Sequence, residues 1–155
     1  MKNVLLIVIL MAMVAGGGCT NSNHDQPGSA AGTSSQPPVM FLNITSSAAD
    51  DPHAVTMALQ LAGHALDDGR DVVLFFNVRG VDVPTIDLPE DIAFGDRPIR
   101  ELLIELLDRG AEVQVCPHCM KAMDIEETDL IPGAVVTDRA RLFGKLGPNT
   151  VVFSY

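Results

Sequence analysis

The apolar positions of this chain fall into two periods. Residues 39–45, Val-Met-Phe-Leu-Asn-Ile-Thr, and 71–78, Asp-Val-Val-Leu-Phe-Phe-Asn-Val, are short, nearly continuous apolar runs. Runs of that kind suit strands buried on both faces in a parallel sheet. Between them Val55, Leu59, Ala62 and Leu66 recur at helical spacing, flanked by Ala58, Leu61 and Ala65. They predict a helix from 52 to about 68, capped by Asp50 or Asp51, with Pro52 at its first position and Gly69 at its end. A second helix over 99–109 follows Pro98, with Ile99, Leu102, Leu103, Leu106 and Leu107 on one face, and Gly110 stops it. Glu105 stands one turn before Arg109, where the two can pair. Val113 and Val115 then alternate with polar neighbours, as in a short strand. A fourth strand over 134–137, a helix over 138–146 and a last strand over 150–155 complete the pattern. Strands alternating with helices predict an α/β fold, with a parallel sheet covered on both faces. The stretch 79–97, broken by Gly80, Pro84, Pro89 and Gly95, leaves the carboxyl end of its strand. A loop this long either covers a site or is an exposed excursion.

The amino-terminal pattern is different. Lys2 precedes an apolar run over 4–15, shorter than the ~20 residues of a spanning helix and fitting the core of a secretory signal. Gly16, Gly17 and Gly18 before Cys19 resemble a bacterial lipobox, so residues 1–18 read as a signal peptide and Cys19 as the site of lipidation. Residues 19–38, rich in Ser, Gly and Pro, have little to bury and read as a disordered tether, with His24 inert within it. The domain is then 39–155, long enough for a single core. These features predict an exported protein, held by a lipid anchor at Cys19 and facing the periplasm or extracytoplasmic space. The chain has 155 residues, is 47% hydrophobic and carries a formal net charge of −10. Nucleic acid and anionic lipid surfaces are therefore poor partners.

The candidate chemistry is concentrated in Cys116-Pro117-His118-Cys119. A strand ends there, and Pro117 suits the first turn of a helix. Cys116 thus falls at the carboxyl end of a strand and the amino end of a helix, where α/β proteins bind ligands. Free N–H groups and the helix dipole favour a thiolate there, Cys119 lies within reach of it, and His118 can add positive charge or exchange a proton. Cys116 is expected to be the more reactive thiol and Cys119 its resolving partner. Two thiolates, with His118 reaching only under strain, fall short of the four ligands of structural zinc, and Cys19 lies beyond the tether. No metal and no cofactor are expected, although a soft copper(I) contact stays open.

The chain resembles the DsrE/DsrF-like sulfur-relay family, most closely its YchN-like branch. The resemblance covers 39–155 and is carried by Gly110-Ala-Glu-Val-Gln-Val-Cys-Pro-His-Cys, Asp129-Leu-Ile-Pro-Gly-Ala-Val-Val and the closing Thr-Val-Val-Phe. It implies a three-layer α/β/α domain with a five-stranded parallel sheet, assembled as a homo- or hetero-oligomer. It also implies that Cys116 matches the cysteine that carries sulfur as a persulfide between donor and acceptor proteins, and that Cys119 matches a second cysteine of the YchN-like branch. Relay members work in the cytoplasm, whereas this chain carries an export pattern. The leading expectation is a carrier of sulfane sulfur. The alternatives are a thiol–disulfide oxidoreductase, since Cys-Pro-His-Cys is also the tetrapeptide of the DsbA oxidants, and an oligomeric scaffold without chemistry.

Overall fold

The structure, a computed structural model, describes residues 38–155. The leader, most of the tether and Cys19 lie outside the described residues. Five strands, β1 (Val39–Ile44), β2 (Asp71–Phe76), β3 (Glu112–Val115), β4 (Ala134–Val136) and β5 (Thr150–Ser154), alternate with four helices. The helices are α1 (Pro52–Asp67), α2 (Ile99–Asp108), α3 (Pro117–Ala122) and α4 (Arg139–Gly144). All strand pairings are parallel, in the order β4-β3-β2-β1-β5. The most apolar run, β2, takes the central place, as its lack of alternation requires.

Local chemistry sets the element ends. Of the two candidate caps, Asp51 caps α1, its carboxylate accepting from the Ala54 N–H at 2.9 Å. Glu105 of α2 holds both Arg109 at 3.4 Å and Arg97 at 2.8 Å. β2 stops two residues short of the apolar run, because the Asn77 N–H turns to the Ile44 carbonyl at 3.0 Å and Val78 takes a left-handed conformation. Val78 is therefore a turn residue, although its apolar character reads as strand.

Handedness sorts the helices into layers. The steps from β1 through β4 all move the same way across the sheet, so right-handed crossovers place α1, α2 and α3 on one face. The return from β4 to β5 runs the other way and puts α4 on the opposite face. Side chains agree with this. Leu42, Ile44, Leu74, Phe76, Val113 and Val115 form one core with Leu59 of α1, Leu103 of α2 and Met120 of α3. On the other face Glu112 pairs with Lys145 at 2.5 Å and with Arg141 at 3.4 Å. The result is the expected three-layer arrangement around a five-stranded parallel sheet.

The 79–97 stretch is pinned down rather than free. Thr85 bridges Leu130, the Ile86 N–H donates to the Asp129 carbonyl at 2.8 Å, and the Ile131 N–H to the Pro84 carbonyl at 2.9 Å. The Arg100 guanidinium donates to the carbonyls of Ile86 and Leu88, and Phe94 stacks on His53 of α1 with ring centroids 3.9 Å apart. At the base of the loop the Ser47 hydroxyl donates to the Asp82 carboxylate. Burial pushes the Asp82 carboxyl above its ordinary value, against the opposing pull of Ser47 and the Ala48 N–H. Among the described residues no helix is long and apolar enough to cross a membrane.

Candidate functional site

Cys116 occupies the cap position of α3, one residue after β3 ends. Its N–H still follows the sheet, donating to the Phe76 carbonyl of β2 at 2.9 Å, and its carbonyl accepts the Met120 N–H at 3.0 Å. The backbone therefore passes from strand to helix within this single residue, with Pro117 supplying a first helical position that needs no donor. The helix it opens has only six residues. The Cys116 side chain makes no capping hydrogen bond. The electrostatic help expected from a helix amino end is correspondingly small.

The spacing of α3 splits it into two faces. Cys116 and Cys119, three residues apart, share the face turned toward β2, and both are half-buried free thiols. Pro117, Met120 and Lys121, at i, i+3 and i+4, share the face turned toward β4, and Asp124, past the end of the helix, joins them. That second face lines a cleft of about 420 Å³ with Ile125, Glu126, Glu127 and Val136. The cleft lies where consecutive connections leave for opposite sides of the sheet, between β3 and β4, the usual ligand crevice of open α/β folds. The cysteines do not line it; they look to the β2 side.

There the Val78 backbone N–H donates to Cys119 Sγ at 3.1 Å. Nothing in the hydrophobic pattern points to that contact. The two sulfurs are also within hydrogen-bonding reach of each other. Burial pushes the Cys119 thiol above its ordinary value, and the contact with the Cys116 sulfur adds to the rise; the Val78 amide opposes both. A thiol that keeps its proton beside a second sulfur is a hydrogen-bond donor to that sulfur. The His118 side chain is exposed. Of the three predicted site residues, the fold brings Cys116 and Cys119 together and leaves His118 facing solvent. Among the described residues no three His, Cys, Asp or Glu side chains group as metal ligands.

Residues 40–147 match the DsrE/DsrF-like family. An uncharacterized protein of Methanocaldococcus jannaschii is 35% identical over 99 residues, spanning 62% of this chain and 83% of the relative. The fold is similar to the crystal structure of the YchN protein from E. coli, with a TM-score of 0.61 and 18% identity over 77% of this chain and all of that one. It is likewise similar to a protein of unknown function, MTH1491, from Methanobacterium thermoautotrophicum. Its TM-score is 0.57 and its identity 16%, with 77% of this chain and all of that one covered.

Proposed function

We infer the function from one premise: this chain belongs to the DsrE/DsrF-like family. At family level that is consistent with sulfur relay. The proposal is that Cys116 accepts sulfane sulfur as a persulfide and hands it to an acceptor protein, with Cys119 as the resolving thiol. The observation that carries it is the pairing of two free, half-buried thiols, in reach of each other, at the carboxyl edge of the sheet. Half-burial matters chemically. A persulfide exposed to bulk thiols is reduced at once, whereas a deeply buried one cannot meet its partner. His118, facing solvent one residue before Cys119, is placed to meet an approaching donor or acceptor rather than to activate either sulfur.

Incubation with thiosulfate or a polysulfide, followed by peptide mass spectrometry, tests this directly. The expected product is the Cys116 peptide heavier by one sulfur atom, and this product is lost in Cys116→Ser. Rapid insulin reduction or oxidation without that adduct would favour disulfide exchange instead. The short α3 argues against that alternative, because thioredoxin-like proteins set their motif on a long helix after an early strand, and here the motif follows the third. Export and a lipid anchor at Cys19 complete the proposal and place the chemistry at a membrane surface. Blocking lipoprotein processing with globomycin should leave the full-length precursor; unchanged processing would remove the anchor from the proposal.

A further inference from the structure

The turn after β2 does more than connect. Val78 has φ of 52°, a strained conformation for a β-branched residue. Its side chain is 55% exposed, so burial does not offset the strain. The turn is instead held from the side of β1. The Asn77 side-chain amide donates to Asn43 Oδ1 at 2.5 Å, and the Gly80 N–H donates to the carbonyls of Thr45 at 3.1 Å and Asn77 at 2.9 Å. Gly80 is the key to the fit, because a Cβ there would lie 2.4 Å from the Ile44 carbonyl oxygen. What this costly backbone delivers is an N–H aimed at Cys119 Sγ, 3.1 Å away.

We propose that the 77–80 turn is a positioning element for Cys119, and that its Val78 amide steadies the anion which that sulfur must become as it resolves a persulfide on Cys116. The inference rests on the sulfur-carrier reading and concerns a loaded Cys116 from which no acceptor protein has taken the outer sulfur. In the step, the Cys119 thiolate, its proton already lost to solvent, attacks Cys116 Sγ of the Cys116 persulfide. The bond from Cys116 to the outer sulfur breaks, a Cys116–Cys119 disulfide forms, and the outer sulfur departs with the electron pair as hydrosulfide. The sulfane sulfur is reduced and the two cysteine sulfurs are oxidised; a dithiol reductant restores the pair. The attack needs an anion at a sulfur that burial and its neighbour keep protonated, and the Val78 amide is the group that favours the anion.

The test is an amide titration on the isotopically labelled protein. The Val78 N–H resonance should shift with pH in step with Cys119 alkylation, and the shift should vanish in Cys119→Ser. In a Cys116→Ser background, Gly80→Ala should raise the apparent titration point of Cys119 by about one unit, the scale of one hydrogen bond to an anion. Val78→Asn, which keeps the N–H and tolerates the left-handed region, should match the parent. With both cysteines present, Gly80→Ala should release hydrosulfide from the loaded protein about three- to fourfold more slowly, because the more basic thiolate is scarcer but more nucleophilic. A folded Gly80→Ala with an unchanged Cys119 profile, or a Val78 amide indifferent to Cys119, overturns the proposal. Should Gly80→Ala not fold, the amide titration still decides. The amide titration needs no sulfur donor, so its failure stands apart from failure of Cys116 to take up sulfur.

Discussion

At the scale of single residues, the two cysteines are chemically unequal because their surroundings differ. Cys119 is pressed toward its neutral form by burial and by the other sulfur, and it meets one opposing amide. That asymmetry has a thermodynamic sign. The native state holds the Cys119 proton more tightly than the unfolded chain does. The associated stability is full below the ordinary thiol range and is lost as pH rises through the raised native value. Urea unfolding under reducing conditions between about pH 7 and 10 should therefore show stability falling as pH increases. Cys119→Ala should flatten that slope; an identical slope in the variant would show that Cys119 does not contribute to it. Val78 and Cys119 are far apart in sequence, and the alternation rules that locate strands carry no information about which amide will face which sulfur.

At the scale of elements, β3 shows how a strand with polar positions is buried. Glu112 and Gln114 alternate with Val113 and Val115 as a half-exposed strand would, yet Gln114 is 0% exposed. The return crossover through α4 covers that face and satisfies its polar groups. The Thr137 hydroxyl donates to Gln114 Oε1 at 2.6 Å, and Gln114 Nε2 donates to Glu112 Oε1 at 3.0 Å. The pull of Lys145, with help from Gln114 and Arg141, holds the Glu112 carboxyl below its ordinary value despite its burial. Gln114→Leu removes the acceptor of a buried hydroxyl and should destabilise the domain by about 1–3 kcal/mol in urea unfolding. A neutral result would mean that the network contributes orientation without stability. Since β3 delivers Cys116, this network also fixes the strand end from which the sulfurs are presented.

At the scale of the whole molecule, the sheet has two unlike edges. β4 is short and only half-buried, with Thr137 and Asp138 leading straight from it into α4. β5 is longer, and its Val151, Val152 and Phe153 stand exposed along an edge with no further strand among the described residues. Exposed apolar edge strands invite pairing with another chain. The assembly expected from the family resemblance is proposed to use this edge. Light scattering should then give a mass above one chain for the native protein, and Val152→Lys should shift it toward the monomer. A mass unaffected by the substitution would place any assembly elsewhere. The 79–97 stretch belongs to this scale too, since its hydrogen bonds tie it to 129–131 and so join the β2 connection to the β4 connection. It is not a loose excursion.

What the sequence determined by itself is whatever depends on near neighbours along the chain. Apolar runs located the strands and helical spacing the two long helices, the Asp-Pro signal located the start of α1, and Cys-Pro-His-Cys marked the strand-to-helix junction where the thiols lie. Only the tertiary structure decided which groups meet across the sheet. It turned the sulfurs toward β2 rather than into the cleft beside β4, left His118 in solvent, buried Gln114, and set a strained valine amide against Cys119. The physical reason is that secondary-structure period is a local property of the backbone. The partner of a buried sulfur or amide is instead fixed by strand order, crossover handedness and the close approach of chain segments distant in sequence.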